Sequence, residues 1–375
     1  MSTIAAAGLS HSGFAEGNQA NTVAVNSAPP YTMPPSERLD PVHWTQERYR
    51  SAPLKLTFRA RTRAEAEAWQ RELRLKLVDL LGGFPERVSL RPETLDIKQY
   101  PEYRREQVIF WSREGVAVIG YLLTPKGQPA PYRVVIAIPG HGVGARDIVG
   151  LDGDGRERVG DPGYEHDFAI QAVRHGMAAF AIEPMCFGQR RDPLTVAKGA
   201  DASSCQPAAG SALLLGETMI GWRVWDVMRT IDWIGTRPEL DAARIGCMGI
   251  SGGGTCTLFS SALDLRIKAA FVSGYMNTFR DSIMAVSHCI DNYVPGILSW
   301  AENYDVAGLI APRPLFSEGG DRDPIFPVGA TRECYVRVKK VYEVFGVPDR
   351  VQQQIFEGEH VFHGTMGLPF LANAL

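Results

Sequence analysis

The chain has 375 residues, with 39 Lys and Arg against 42 Asp and Glu and a formal net charge of −3. This near balance of charge argues against a nucleic-acid-binding protein, which needs an excess of cations to neutralise phosphates. Hydrophobic residues make up 45% of the chain and charged residues 22%, a globular composition that excludes wholesale disorder.

Residues 1–60 are predicted to form an N-terminal arm that is poorly ordered or draped over the surface. The first 36 residues contain no Lys or Arg, and small or polar residues interrupt every apolar run. A secretory signal has a basic start and an apolar stretch of about 7–15 residues, so a cytoplasmic protein is expected. An apolar run of about 18 residues, long enough to span a bilayer, does not occur, and no membrane partner is expected.

Residues 61–375 are predicted to form a single catalytic domain of alternating helices and strands. Its first helix should run from Thr62 to Leu81, because Thr62 and Glu65 form a capping box. Eight apolar runs then read as strands, at 107–112, 116–124, 133–138, 177–182, 244–249, 269–273, 314–317 and 351–356. Helices are predicted between them at 164–175, 212–236, 252–263 and 330–345.

Continuous apolar strands flanked by helices predict an α/β fold, with a mostly parallel eight-stranded sheet covered by helices on both faces. In such sheets the functional sites form at the carboxyl ends of the strands. The six cysteines are scattered without a C-x-x-C pair, and in a chain of this size they are expected to be buried thiols.

The candidate nucleophile is Ser251. It lies in the sequence Gly-Ile-Ser-Gly-Gly, which follows the strand 244–249 and opens the helix 252–263. This is the G-x-S-x-G pattern in its strand–turn–helix context, where the serine is strained and the close approach of strand and helix excludes larger side chains on either side.

A serine hydroxyl needs a base to activate it and an acid to orient that base, and in this fold the acid and the histidine follow the serine in that order. Asp323, in the loop after the seventh strand, is the candidate acid, with Asp321 and Glu318 as rivals. His360, in the loop after the last strand, is the candidate base. His363 is expected to cap or begin a terminal helix. The H-x-x-H spacing lacks a third clustered ligand, so neither a metal nor a cofactor is expected.

Backbone amides should stabilise the oxyanion of an acyl-transfer reaction. One donor is expected to be Gly252, and the other Val143 or Gly142 in the glycine-rich loop after the third strand. His141, in the same loop, is expected to orient the substrate or simply to form a hydrogen bond within the loop.

The segment 275–305 lies between the sixth and seventh strands and is rich in aromatic and apolar residues. It is either a short cap insertion over the pocket, with Tyr293 and Trp300 as pocket residues that set acyl size, or ordinary helical packing. The sequence leaves both interpretations open.

Together these motifs resemble the α/β-hydrolases, and among them the acetyl xylan esterase-like, dienelactone-hydrolase-related serine esterases. The likeness spans roughly residues 100–370 and extends to the segments 139–142, 221–226, 289–296 and 309–314. It implies a Ser–Asp–His triad of Ser251, Asp323 and His360 and hydrolysis of short-acyl esters. Dienelactone hydrolases proper use a cysteine nucleophile, so the serine argues against their substrate.

The expected function is therefore that of a cofactor-free carboxylic ester hydrolase acting on a small-molecule ester, with a homodimer as a further expectation. Two alternatives stay open at this point. One is an amidase or peptidase on the same scaffold, and the other is a non-catalytic binding protein of the same fold.

Overall fold

The computed structural model describes residues 39–199 and 202–375. Of the predicted arm, residues 1–38 lie outside the described residues. Helix α1 spans Pro41–Arg50, and residues 45–375 form one compact unit. Late in the arm, the Leu56 side chain is buried and its N–H donates to the carbonyl of Trp300 at 2.7 Å.

A nine-stranded sheet organises this unit, in the spatial order β1-β2-β3-β5-β4-β6-β7-β8-β9. Strands β4 to β9 pair in parallel, whereas the pairs β1–β2, β2–β3 and β3–β5 are antiparallel. In chain order the strands are β1 (Glu93–Gln99), β2 (Tyr103–Arg113), β3 (Val116–Pro125), β4 (Tyr132–Ile138), β5 (Ala178–Ile182), β6 (Leu240–Ile250), β7 (Ile267–Ser273), β8 (Leu315–Gly320) and β9 (Val351–Phe356).

The prediction of a mostly parallel α/β sheet is confirmed, but the count of eight strands was wrong. All eight predicted strands are present as β2 to β9, and β1 is the additional one. Every residue of β1 is exposed, and its charged residues interrupt any apolar run, so no pattern of burial marks it in the sequence.

The helices that follow α1 include several that the sequence did not predict. They are α2 (Arg63–Leu80), α3 (Phe168–Arg174), α4 (Pro193–Val196), α5 (Cys205–Leu214), α6 (Met219–Ile234), α7 (Gly252–Leu263), α8 (Asn303–Gly308), α9 (Val328–Val344) and α10 (Gly367–Ala374). The predicted capping box at the start of α2 is confirmed. Among the described residues, no helix is both long and apolar enough to cross a bilayer.

Two helix predictions need correction. The single helix expected over 212–236 is instead α5 and α6, separated where Gly216 adopts a left-handed φ of 76° and Thr218 caps α6 by accepting the Gly221 N–H at 3.0 Å. His363 lies before the terminal helix rather than in its first turn, because its N–H donates to the buried carboxylate of Glu318 at 2.9 Å.

Helices cover both faces of the sheet, as β7 shows by the alternation of its side chains. Val272 packs in one buried cluster with Phe259 of α7. Phe271, its neighbour in the strand, points to the opposite face and packs with Phe168 of α3 and Leu371 of α10. The helices therefore bury the strands on both faces, and the carboxyl ends of the parallel strands lie together along one side of the sheet.

Candidate active site

Ser251 lies in the turn between β6 and α7, with a φ of 56° and a ψ of −121°. Such a backbone conformation is strained for a residue with a side chain and persists only where the surroundings enforce it. A Cβ at Gly249 would come within 2.6 Å of the carbonyl oxygens of Gly253 and Ile138, and one at Gly253 within 1.9 Å of the latter. The close approach of strand and helix thus requires both glycines that flank the serine.

His360 and Asp323 contact each other directly, at 2.6 Å between imidazole Nδ1 and carboxylate Oδ2. The other carboxylate oxygen, Oδ1, accepts the backbone N–H groups of Ile325 and Phe326, each at 3.0 Å. The Asp323 side chain is only 2% exposed. Two amides therefore fix the carboxylate with its second oxygen directed at the imidazole.

The two rival carboxylates have other partners. Asp321 is exposed and accepts the N–H of Gly358 at 3.0 Å. Glu318 is buried and accepts the hydroxyl of Ser273 at 2.8 Å and the N–H groups of His363 and Gly364 at 2.9 and 3.0 Å. Burial raises the pKa of Glu318 to about 7. Glu318 thus joins the end of β8 to the loop after β9.

The imidazole of His360 packs beside two aromatic rings. The Tyr164 and Phe326 ring centroids are 6.0 and 5.5 Å from its own, and both planes are within 24° of parallel. A Cβ at Gly274 would come within 2.8 Å of its Cε1. Nε2 is buried and makes no hydrogen bond to any residue that the structure describes, Ser251 included.

Ser251, Gly252 and His360 line one cavity of about 340 Å³. His141 and Tyr164 form part of its wall, and residues 287–289 and 292 of the segment predicted as a cap form another part. The turn that carries the predicted nucleophile and first amide donor and the loop that carries the predicted base therefore meet at the carboxyl ends of the strands.

Gly142 and Val143 line a neighbouring cavity of about 520 Å³, which shares His141 and Tyr164 with the first. Tyr164 holds the loop between the two cavities, because its hydroxyl donates to the His141 carbonyl at 2.8 Å. The sequence did not single out Tyr164, since it lies at the edge of a predicted helix and carries no motif. Only the fold shows that one side chain contacts both the loop and the imidazole.

The predicted pocket residues Tyr293 and Trp300 are not among the described residues that line either cavity. The Tyr293 hydroxyl donates to the Ile283 carbonyl at 3.1 Å. The Trp300 ring lies beneath the ammonium groups of Lys55 and Lys76, at 4.8 and 4.4 Å from its centroid.

A polar cluster that the sequence did not predict adjoins His141. The His141 Nε2 atom lies 3.3 Å from Oδ2 of Asp291, and that oxygen accepts hydrogen bonds from Arg223 at 2.5 Å and from the Cys205 thiol at 3.4 Å. Burial lowers the pKa of His141, but the nearby Asp291 carboxylate and Cys205 sulfur outweigh burial and raise the pKa to about 9. Burial raises the pKa of Asp291, yet the Arg223 and His141 charges hold it well below its usual range.

Comparison with known proteins agrees with this fold. The sequence model described as the Abhydrolase family matches residues 50–361. "Putative hydrolase YtaP" of Bacillus subtilis (strain 168) is 25% identical over 287 residues, which cover 74% of this chain and 89% of the relative. A "putative acetyl xylan esterase" of Bacteroides fragilis NCTC 9343 has a similar structure, with a TM-score of 0.72 and 20% identity over 85% of this chain and 82% of that one. The glucuronoyl esterase of Solibacter usitatus follows, with a TM-score of 0.62 and 16% identity over 82% and 93% of the two chains.

Proposed function

Because this chain belongs to the abhydrolase family, we propose that it is a carboxylic ester hydrolase that works through a serine acyl-enzyme. Ser251 is the nucleophile, His360 the general base and Asp323 the acid that orients it. The observation that carries the proposal is the 2.6 Å contact between His360 and Asp323 beside a cavity that the strained Ser251 also lines.

The three residues have distinct tasks in this mechanism. His360 takes the hydroxyl proton through Nε2 while the Ser251 oxygen attacks the ester carbonyl, and Asp323 stabilises the imidazolium that forms. Collapse of the tetrahedral intermediate breaks the bond to the alcohol oxygen, which leaves with that proton. His360 next activates a water molecule, which releases the acid and restores the hydroxyl.

The oxyanion of both intermediates would be bound by the Gly252 amide together with that of Val143 or Gly142. Gly252 adjoins the nucleophile and lines its cavity. The loop that carries the second donor is supported by the Tyr164 hydrogen bond to the His141 carbonyl. We assign the second amide to this loop because its glycines allow close approach of the backbone to a substrate.

The substrate proposed is an ester with a short acyl group, so that the enzyme acts as an esterase or deacetylase. A cavity of about 340 Å³ lies near the lower end of the usual range for small-molecule sites, roughly 300–1,000 Å³. The names of the structurally similar proteins, an acetyl xylan esterase and a glucuronoyl esterase, agree with ester chemistry. The cytoplasmic location and the homodimer stay predictions from the sequence.

The test is a panel of p-nitrophenyl esters of increasing acyl length, run with wild-type protein and two variants. Ser251→Ala should lower kcat/KM by about a thousandfold or more and abolish labelling by a fluorophosphonate probe. Ser287→Ala, a serine lining the same cavity, is the matched control and should retain activity within tenfold.

Retained turnover or labelling in Ser251→Ala would refute the nucleophile. Comparison of p-nitrophenyl acetate with p-nitroacetanilide then separates the two enzyme classes. An anilide cleaved as fast as the ester would show an amidase instead.

A further inference from the structure

We propose that His141, Cys205, Cys289 and Asp291 form a binding site for Zn²⁺ beside the active site. One ligand atom from each of the four side chains lies within 4.8 Å of the others. The residue types are those that bind zinc in proteins, namely imidazole, thiolate and carboxylate. This inference concerns a second site and does not depend on the proposed esterase activity.

Two distances within the cluster match edges of a zinc tetrahedron, and the Cys289 ligand atom lies within 4.8 Å of the other three. With bonds of about 2.0–2.2 Å to nitrogen and oxygen and about 2.3 Å to sulfur, the N–O edge is about 3.3 Å and the S–O edge about 3.6 Å. The separation is 3.3 Å between His141 Nε2 and Asp291 Oδ2, and 3.4 Å between Cys205 Sγ and the same oxygen. These atoms thus stand almost as they would around the ion.

The orientation of His141 supplies a second, independent observation. Its Nε2 is buried and satisfies no hydrogen-bond geometry with the described residues, although a carboxylate is nearby. Nδ1 and Cε1 of the ring would lie 3.0 Å from a Cβ at Gly252, whereas Nε2 lies 3.3 Å from Oδ2 of Asp291. The ring therefore presents Nε2 to the cluster rather than to the nucleophile, and a metal ion would provide the missing partner.

The surroundings also provide the outer contacts that metal ligands require. Arg223 donates to Asp291 Oδ2 and, at 3.3 Å, to Cys205 Sγ, while the Asn292 amide donates to Asp291 Oδ1 at 3.0 Å. Hydrogen bonds of this kind orient ligating side chains and stabilise their charged forms.

Charge balance favours a divalent cation in this buried position. Two thiolates and the carboxylate carry three negative charges, which Zn²⁺ and the Arg223 guanidinium neutralise, leaving no net buried charge. Binding releases to solvent the protons that the cysteine thiols and the His141 imidazole carry before the ion enters. Thiolate ligands select zinc over Mg²⁺ and Ca²⁺, which prefer oxygen.

The ion would join three segments that lie far apart in the chain. His141 comes from the loop after β4, Cys205 is the first residue of α5, and Cys289 belongs to the wall of the active-site cavity. With four protein ligands the site is closed, so its role is structural. It would fix the glycine-rich loop relative to the opposite wall of the cavity.

The experiment uses the full-length reduced protein, stripped of metal and titrated with Co²⁺ as a spectroscopic substitute. One equivalent should produce thiolate-to-cobalt charge-transfer absorption together with the visible bands of a tetrahedral site, and Zn²⁺ should displace it. Zn²⁺ should also raise the melting temperature and protect two thiols from alkylation.

Cys205→Ser and Asp291→Asn should each weaken Co²⁺ binding at least tenfold and reduce or shift the absorption. Cys256→Ser is the matched control, because Cys256 is buried at 3.8 Å from the Ser260 hydroxyl and is not one of the four ligands. This control should bind one equivalent with the wild-type spectrum.

Absence of stoichiometric Co²⁺ binding by the wild-type protein would overturn the proposal, as would a spectrum without thiolate absorption. So would equal weakening by Cys256→Ser. If reduced protein binds no metal while peptide mapping finds Cys205 and Cys289 joined after air oxidation, the cluster is a redox pair instead. Because the readout is absorption, failure of the esterase assignment leaves this test unaffected.

Discussion

The substitution Asp323→Asn tests which carboxylate orients the imidazole of His360. In the wild-type protein, Oδ1 accepts the Ile325 and Phe326 amides while Oδ2 lies 2.6 Å from Nδ1. Asparagine can keep both backbone bonds only through its carbonyl oxygen, so its NH₂ group must occupy the position of Oδ2.

An NH₂ group there reverses the hydrogen bond to the histidine. Nδ1 must then accept, the ring proton moves to Nε2, and Nε2 can no longer take the proton of Ser251. The wrong tautomer in a Ser–His–Asp triad costs roughly 10⁴ in kcat, which corresponds to about 5.5 kcal/mol of transition-state stabilisation. The two retained backbone bonds, each worth about 1 kcal/mol, should keep the melting temperature close to that of the wild type.

The assay is kcat on p-nitrophenyl acetate, with thermal unfolding to check the fold. Asp321→Asn is the matched control, since Asp321 is exposed and contacts the Gly358 amide rather than the imidazole. Its activity should stay within a few-fold of wild type. If Asp323→Asn retained activity within tenfold, or if the control lost as much, the assignment of the acid would be refuted.

Three further predictions concern the surroundings of the nucleophile. Tyr164→Phe keeps the ring beside the imidazole but leaves the His141 carbonyl without its donor. We expect kcat to fall by about 5- to 150-fold, the factor that corresponds to about 1–3 kcal/mol for an unsatisfied carbonyl. Unchanged kinetics would show that this bond does not support the loop. Gly253→Ala should melt well below the wild type or fail to fold, because its Cβ would lie 1.9 Å from the Ile138 carbonyl oxygen. The control Gly329→Ala should melt at or above the wild-type temperature, because its Cβ would have no described atom within 4 Å. Equal melting temperatures of the two variants would contradict the close approach of strand and helix at this turn. Esterase activity should decline on acidification, because only a neutral imidazole can accept the serine proton, and a flat rate profile down to about pH 4 would argue against a histidine base.

The parts of the fold that could be predicted from the sequence are those that a pattern within one short segment determines. Thr62 and Glu65 form the expected capping box, and α7 has the predicted bounds of 252–263 because the glycine-rich turn fixes its start. The buried strands could be read from their apolar runs, since both faces of the sheet are covered. Asp323 could be preferred over its rivals by its loop position.

The remaining features depend on contacts between distant segments. The break at Gly216 interrupts a stretch whose apolar residues continue a helical pattern, so periodicity alone predicts one helix. Tyr164 shows its role only through its contacts with a histidine almost 200 positions away. The cluster around Asp291 draws on three separate segments, and no local spacing of the kind that marks sequential metal motifs links His141 to Cys205.

The two ends of the sheet bear on how copies of this protein could associate. Strand β1 presents Glu93, Asp96 and Lys98 along one border, and the glutamines of β9 lie along the other. Charged side chains on a border strand discourage the backbone of another molecule from adding to the sheet. Addition of a strand to β1 is therefore disfavoured, and we expect any dimer to leave this border of the sheet unpaired.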